Sequence, residues 1–117
     1  QTEMGIFSRQ KNKGVDARKF DGIIEAVRRN SDGQVEMARF YERRGPTWSD
    51  HMLISRSELI NRLKKGDRFA IGERMEYLGG SFRVITPVQL SNNSGRERIT
   101  TGSSQDGSIE LKEAPLF

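Results

Sequence analysis

Cysteine is absent from the 117 residues, which excludes disulfide cross-links, thiolate nucleophiles and the common structural zinc sites. Histidine occurs once, at His51, so no pair of imidazoles is at hand to build a metal centre. No apolar run approaches the roughly 20 residues that a helix needs to span a bilayer, and the amino end lacks the apolar stretch of a signal peptide. Together these absences point to a soluble, cytoplasmic chain that makes no membrane contact. Phosphate cradles are missing too, because Gly79-Gly80 lacks the following helix and lysine of a P-loop. Asp16, Asp21 and Glu25 are spaced too widely for a calcium loop. His51 stands beside Ser49 and Asp50, yet neighbours in an extended segment point to opposite sides, and there is no GxSxG elbow or second base. The expectation is a protein with no catalytic residues, metal or cofactor.

Apolar residues are few, 33% against 31% charged, so a core can form only where they concentrate. Nearly all the Ile, Val, Leu and aromatic residues fall within 18–90, which delimits a small β-barrel-like domain. Residues 1–17 read as a flexible basic arm, with Arg9, Lys11 and Lys13 around a lone Ile6-Phe7 pair. Met4 is a candidate natural start, with Gln1-Thr2-Glu3 a remnant ahead of it. Residues 91–117 have linker composition, rich in Ser, Asn, Thr and Gly, and end in a short acidic and apolar tip.

Within 18–90 the pattern alternates. Phe20, Ile24 and Ala26 share one side of a first strand and Ile23 and Val27 the other, with Gly22 a candidate bulge or bend. Asn30-Ser31-Asp32-Gly33 is a strong hairpin turn. In the second strand Val35, Met37, Arg39 and Tyr41 fall on one face, Ala38 and Phe40 on the other. Gly45-Pro46-Thr47 ends it, and Met52-Leu53-Ile54 is a short third strand. The stretch Ser55 to Gly66 then carries both ends of a helix. Ser55 and Glu58 form a capping box, Lys64 and Lys65 suit the negative end of the dipole, and Gly66 supplies the left-handed stop. Leu59, Ile60 and Leu63 make a narrow apolar stripe, so this helix lies as a lid on something larger. Period two returns at Phe69, Ile71, Met75 and Tyr77, with Gly72 where the strand can bend. Gly79-Gly80 turns the chain into a last strand in which Phe82, Val84, Thr86, Val88 and Leu90 share a face and Pro87 marks an edge or an end.

The order is strand, strand, strand, helix, strand, strand: mainly β with one helix. Five antiparallel strands with a helix between the third and fourth make the element order of an OB-fold barrel, whose helix plugs the barrel bottom. A strongly curled open sheet is the competing architecture, and flexible tails are expected at both ends.

Of the 20 basic residues, fourteen lie within 18–90 against ten acidic ones, and eleven of the fourteen are arginine, which favours bidentate or stacking contacts. Arg39, Tyr41, Arg43, Arg44 and Trp48 interleave cations with rings on the second strand and the loop after it, and Arg28, Arg29 and Arg74 extend the band. In OB barrels the second and third strands form the oligonucleotide platform, bases stacking on exposed rings while cations track phosphates. The pattern therefore points to a non-catalytic module for nucleic acid, single strands favoured. The alternative is a small assembly subunit that docks a protein through its sheet surface and tails, with Leu116 and Phe117 as the docking tip. A two-fold assembly through the edge strand containing Pro87 is a further expectation, and a small-molecule site in the barrel mouth is the weakest.

Overall fold

Asn30 sets the first turn. Its side-chain oxygen accepts from the backbone N–H groups of Asp32 (2.9 Å) and Gln34 (3.0 Å), and Gly33 takes φ 83°, which a side chain would resist. The turn joins β1 (Gly22–Arg29) to β2 (Val35–Arg44) in an antiparallel pair. These elements belong to a computed structural model that describes residues 17–75, 82–93, 96–101 and 110–117. Residues 1–16 of the expected basic arm 1–17 and the Gly79-Gly80 turn lie outside the described residues, while Ala17 is buried in the domain.

Two bulges reassign the faces. Ile24 pairs with Phe40 and Ala26 with Arg39, which leaves Glu25 as an extra residue, and Glu36 is likewise extra between Arg28–Met37 and Arg29–Val35. Each bulge slips the alternation by one. Ile24 and Val27 therefore point into the same core, as do Val35, Ala38 and Phe40, where strict period two would separate them. Gly22 is not a bulge. It is bare because a Cβ there would come 2.4 Å from the Phe69 ring.

Beyond Arg44 a two-residue strand, β3 (Thr47–Trp48), folds back on Arg43 and Arg44, and β4 (Met52–Ser55) pairs with β2 from Met37 to Phe40. Helix α1 (Arg56–Lys64) has the capping box that its sequence encodes, and Gly66 follows with φ 100°. Its Leu59 and Ile60 are buried. The helix and its turn carry the chain across to the far side of β1, so β5 (Phe69–Arg74) pairs there in parallel, through Gly22, Ile23 and Ile24. β6 (Phe82–Asn93) returns antiparallel to β5, and β7 (Arg96–Thr101) antiparallel to β6. The sheet order is β3-β2-β1-β5-β6-β7, with β4 beside β3 on the outer edge of β2.

Among the described residues the domain is thus mainly β with one α-helix, its sheet strongly curled into an open half-barrel whose element order is compatible with an OB-like fold. It differs from five antiparallel strands in one parallel pairing and in two further strands, β3 and β7. Ser91 to Asn93 and Arg96 to Thr101 are strand rather than linker, because Leu90 and Ile99 lie side by side and give the polar hairpin an apolar side. β6 is consequently no sheet edge. Pro87, which cannot donate, sits just before the first β6–β7 pair, Val88–Thr101.

The concave side holds the main core, in which Ile24, Val27, Phe40, Leu59, Phe69 and Ile71 are buried together with Ile99. A smaller cluster of Ala17, Phe20, Ile23 and Ala70 covers the convex side, with Trp48, Phe82 and Val84 packed against it. β6 thus contributes to both: a bulge opposite Ile71 and Gly72 switches Phe82 and Val84 to one face and Val88 and Leu90 to the other. Residues 110–117 are no free tail. Leu111 and Ala114 enter the main core, and Leu116 makes a parallel bridge to Val27.

Candidate functional site

On the convex face of β2, Arg39, Tyr41 and Arg43 point the same way, two residues apart. Around Tyr41 the structure gathers Trp48, His51, Arg74 and Phe82. The Tyr41 and Phe82 rings lie 4.9 Å apart, Trp48 and Phe82 4.8 Å, and His51 meets Tyr41 edge-on at 6.0 Å. Arg74 holds its guanidinium over the Tyr41 ring at 5.8 Å. Beside them opens a cleft of about 320 Å³ lined by Tyr41, Trp48, Asp50, Arg74 and Phe82 with the chain from Pro46 to Ser49.

The expected site residues divide. Trp48, half-buried, and Arg74, exposed, line the cleft. Tyr41 is corrected from platform to floor: only 6% exposed, it is covered by Phe82 and Arg74, because β5 and β6 bring those side chains across β1 onto β2. Burial, with Glu25 close by, pushes its hydroxyl pKa up against the opposing pull of Arg74, so it stays a protonated phenol. Arg43 shapes the wall by donating to the carbonyls of Phe20 (3.1 Å) and Gly45 (3.2 Å). Arg44 points to the other side of the strand and rests on the Met52 sulfur at 3.9 Å, so it is not part of the cleft lining. Neither Arg43, Arg44 nor Arg74 meets a carboxylate among the described residues, whereas Arg39 pairs with Glu25 at 3.4 Å.

Arg28 and Arg39 form a separate group farther along the same face, with the ring of Phe117 at 5.2 Å and 5.0 Å. Phe117 therefore docks on its own domain instead of standing free as a tip, and the exposed half of the expected pair is Leu116. Arg29 leaves the band altogether. Its Nε donates to the Glu110 carbonyl (2.8 Å) and its Nη2 to that of Leu111, and burial lowers its pKa. As the next residue along β1 it points to the opposite face from Arg28.

Two residues escape the sequence reading. Phe82 belongs to the site, but its place depends on how β6 registers across the sheet. Glu110 is the other, its side chain 0% exposed. Oε1 accepts from the Val35 N–H (2.8 Å) and Arg56 Nε (3.2 Å), Oε2 from the Ile99 N–H (3.0 Å) and Arg56 Nη2 (2.7 Å). Burial alone would raise this carboxyl's pKa; the Arg56 fork and the two backbone donors outweigh it and hold the value below the ordinary carboxylate range. Nothing in the local sequence marks it, since Arg56 is 54 residues away.

The Ser49 hydroxyl donates to the Asp50 carbonyl (2.7 Å) and accepts from the Glu42 N–H (3.0 Å), which ties its loop to β2. Among the described residues, no three His, Asp or Glu side chains are grouped to hold a metal ion, and no helix is long and apolar enough to cross a membrane. Comparisons with protein-family models, with curated proteins and with solved structures return no match to this chain.

Proposed function

We propose that this protein is a non-catalytic nucleic-acid-binding module that holds single strands by stacking a base in the Trp48 cleft. The observation that carries the reading is the cleft itself: an indole packed on Phe82, facing Arg74, with Asp50 at the mouth. Every base has a π face that such a ring can receive, at about 1 to 3 kcal/mol per stacked base. Among the described residues, Arg43 and Arg74 beside it make no ion pair with a carboxylate, which supports an approach of phosphates to them.

A second reading rests on Leu53 and Leu116, 59% and 67% exposed, which give the sheet surface and the tail an apolar aspect that suits a protein partner. The two readings separate in one titration. Trp48 is the sole tryptophan, so its fluorescence reports the cleft directly. An oligothymidylate of roughly 12 nucleotides, within the range one OB-type fold holds, is expected to quench it. Affinity should fall about sevenfold between 50 and 200 mM salt if about two phosphates are neutralised. Trp48→Ala, followed by anisotropy of a labelled oligonucleotide, should weaken binding about fivefold or more without loss of the β circular dichroism signal. Absence of quenching at low salt would remove the nucleic-acid reading and leave the protein partner.

A further inference from the structure

β5 accompanies β1 only as far as Ile24, and the edge of β1 beyond it is taken by residues 115–117. The Val27 N–H donates to the Pro115 carbonyl (2.8 Å), the Phe117 N–H to the Val27 carbonyl (3.1 Å), and Leu116 between them stays 67% exposed. This seats the Phe117 ring against Arg28 and Arg39. Upstream, the chain is anchored by the Glu110 carboxylate, by Arg29 and by Leu111 in the core. The last three residues are thus held by two backbone hydrogen bonds and one ring, and they can leave while the anchor remains.

We propose that Arg28 and Arg39 form a second ring-stacking site for a nucleobase, which the chain's own Phe117 occupies in the absence of ligand. Guanidinium groups hold aromatic faces by stacking and by cation–π attraction, and a base offers the same face as a phenyl ring. Arg39 lies on the same outward row of β2 as Tyr41 and Arg43, about 7 Å along the strand from Tyr41 on the cleft floor and about 13 Å from Arg43, the partner of Trp48, so one bound strand reaches both. Phe117 is then an internal competitor: a ligand base must displace it, and apparent affinity is reduced by the fraction of chains in which the site is filled.

The inference rests on the nucleic-acid reading, and its test uses the whole chain with the same oligothymidylate. Phe117→Ala should bind about fivefold more tightly than the unchanged chain, and Leu116→Ala, which keeps the ring, should bind equally. In Arg28→Ala/Phe117→Ala the gain should disappear. A fluorine label on the residue 117 ring should move to its solvent-exposed NMR position at saturation. If the unchanged chain binds but Phe117→Ala binds no better, or the fluorine signal stays in place, the inference is overturned while the cleft survives. If the gain persists in the double variant, Arg28 is not the base site and the inference fails. If neither the unchanged chain nor Phe117→Ala binds, the nucleic-acid reading falls and takes this inference with it.

Discussion

Replacing Glu110 by glutamine should cost this domain about a fifth or more of its stability. The carboxylate is fully buried and accepts four hydrogen bonds, two from backbone N–H groups and two from one guanidinium. Glutamine keeps one acceptor oxygen and turns the other into a donor. Either Val35 or Ile99 then loses its partner, and an unpaired buried N–H costs about 1 to 3 kcal/mol. The Arg56 side chain, 26% exposed, also loses its counter-charge. Breaking a buried pair in this way costs about 3 to 5 kcal/mol in all, against a total of about 5 to 15 for a domain of this kind.

Urea unfolding followed by circular dichroism measures it. With a slope of about 1 to 3 kcal/mol per molar, the midpoint should drop by about 1 M or more at unchanged slope. The pH dependence gives an independent check. The folded carboxyl titrates below its unfolded value, so its contribution is complete above the unfolded pKa of about 4.3 and is lost as pH falls through the lower, folded one. The glutamine variant should lack that acid-dependent component. A loss below about 1 kcal/mol together with an unchanged acid limb would show that the carboxylate is not the link described here.

Two further substitutions probe the scaffold. Gly72→Ala places a Cβ 2.7 Å from the Arg83 carbonyl oxygen and 3.0 Å from the Ile23 methyl, and because the first neighbour is backbone it cannot swing aside. Thermal unfolding should register a loss of about 1 to 3 kcal/mol, and no loss would mean that the bulge opens freely. Ser55→Ala removes the capping hydroxyl that accepts from the Glu58 N–H and should cost about 1 kcal/mol in urea unfolding, with the fold kept.

What the sequence made legible is what local chemistry decides. The Asn30 turn, the Ser55 and Glu58 cap and the Gly66 stop each require only residues within one turn of one another, and each forms as read. The inward sides of β1 and β2 were not legible, because Glu25 and Glu36 bulge without glycine or any other mark in the residues themselves. The site divided on the same ground. Trp48 and Arg74 lie in the cleft, but Tyr41 is its floor because Phe82 arrives from a strand whose register the chain does not announce. Polar composition misled at β7 and at residues 110–117, where a few apolar side chains, Ile99, Leu111 and Ala114, suffice to fasten hydrophilic segments to the core.

Closure of the half-barrel explains why so hydrophilic a carboxyl end is folded at all. β4 covers the outer edge of β2 only between Met37 and Phe40, which leaves the Val35 N–H open, and β7 ends the sheet with the Ile99 N–H open. Among the described residues no strand joins these two edges; a single carboxylate does, taking one N–H from each, while Arg56 at the start of α1 balances its charge and also donates to the Glu97 carbonyl on β7 (2.9 Å). A closing strand would need a ladder of pairs at fixed register, whereas a buried ion with satisfied lone pairs needs one correctly placed residue. The link lies at the Val35 end of β2, eight residues and about 27 Å along the strand from Arg43 beside the Trp48 cleft. The device that holds the sheet together is thus kept away from the Trp48 cleft, whose lining comes from the opposite end of β2 and from β3, β5 and β6.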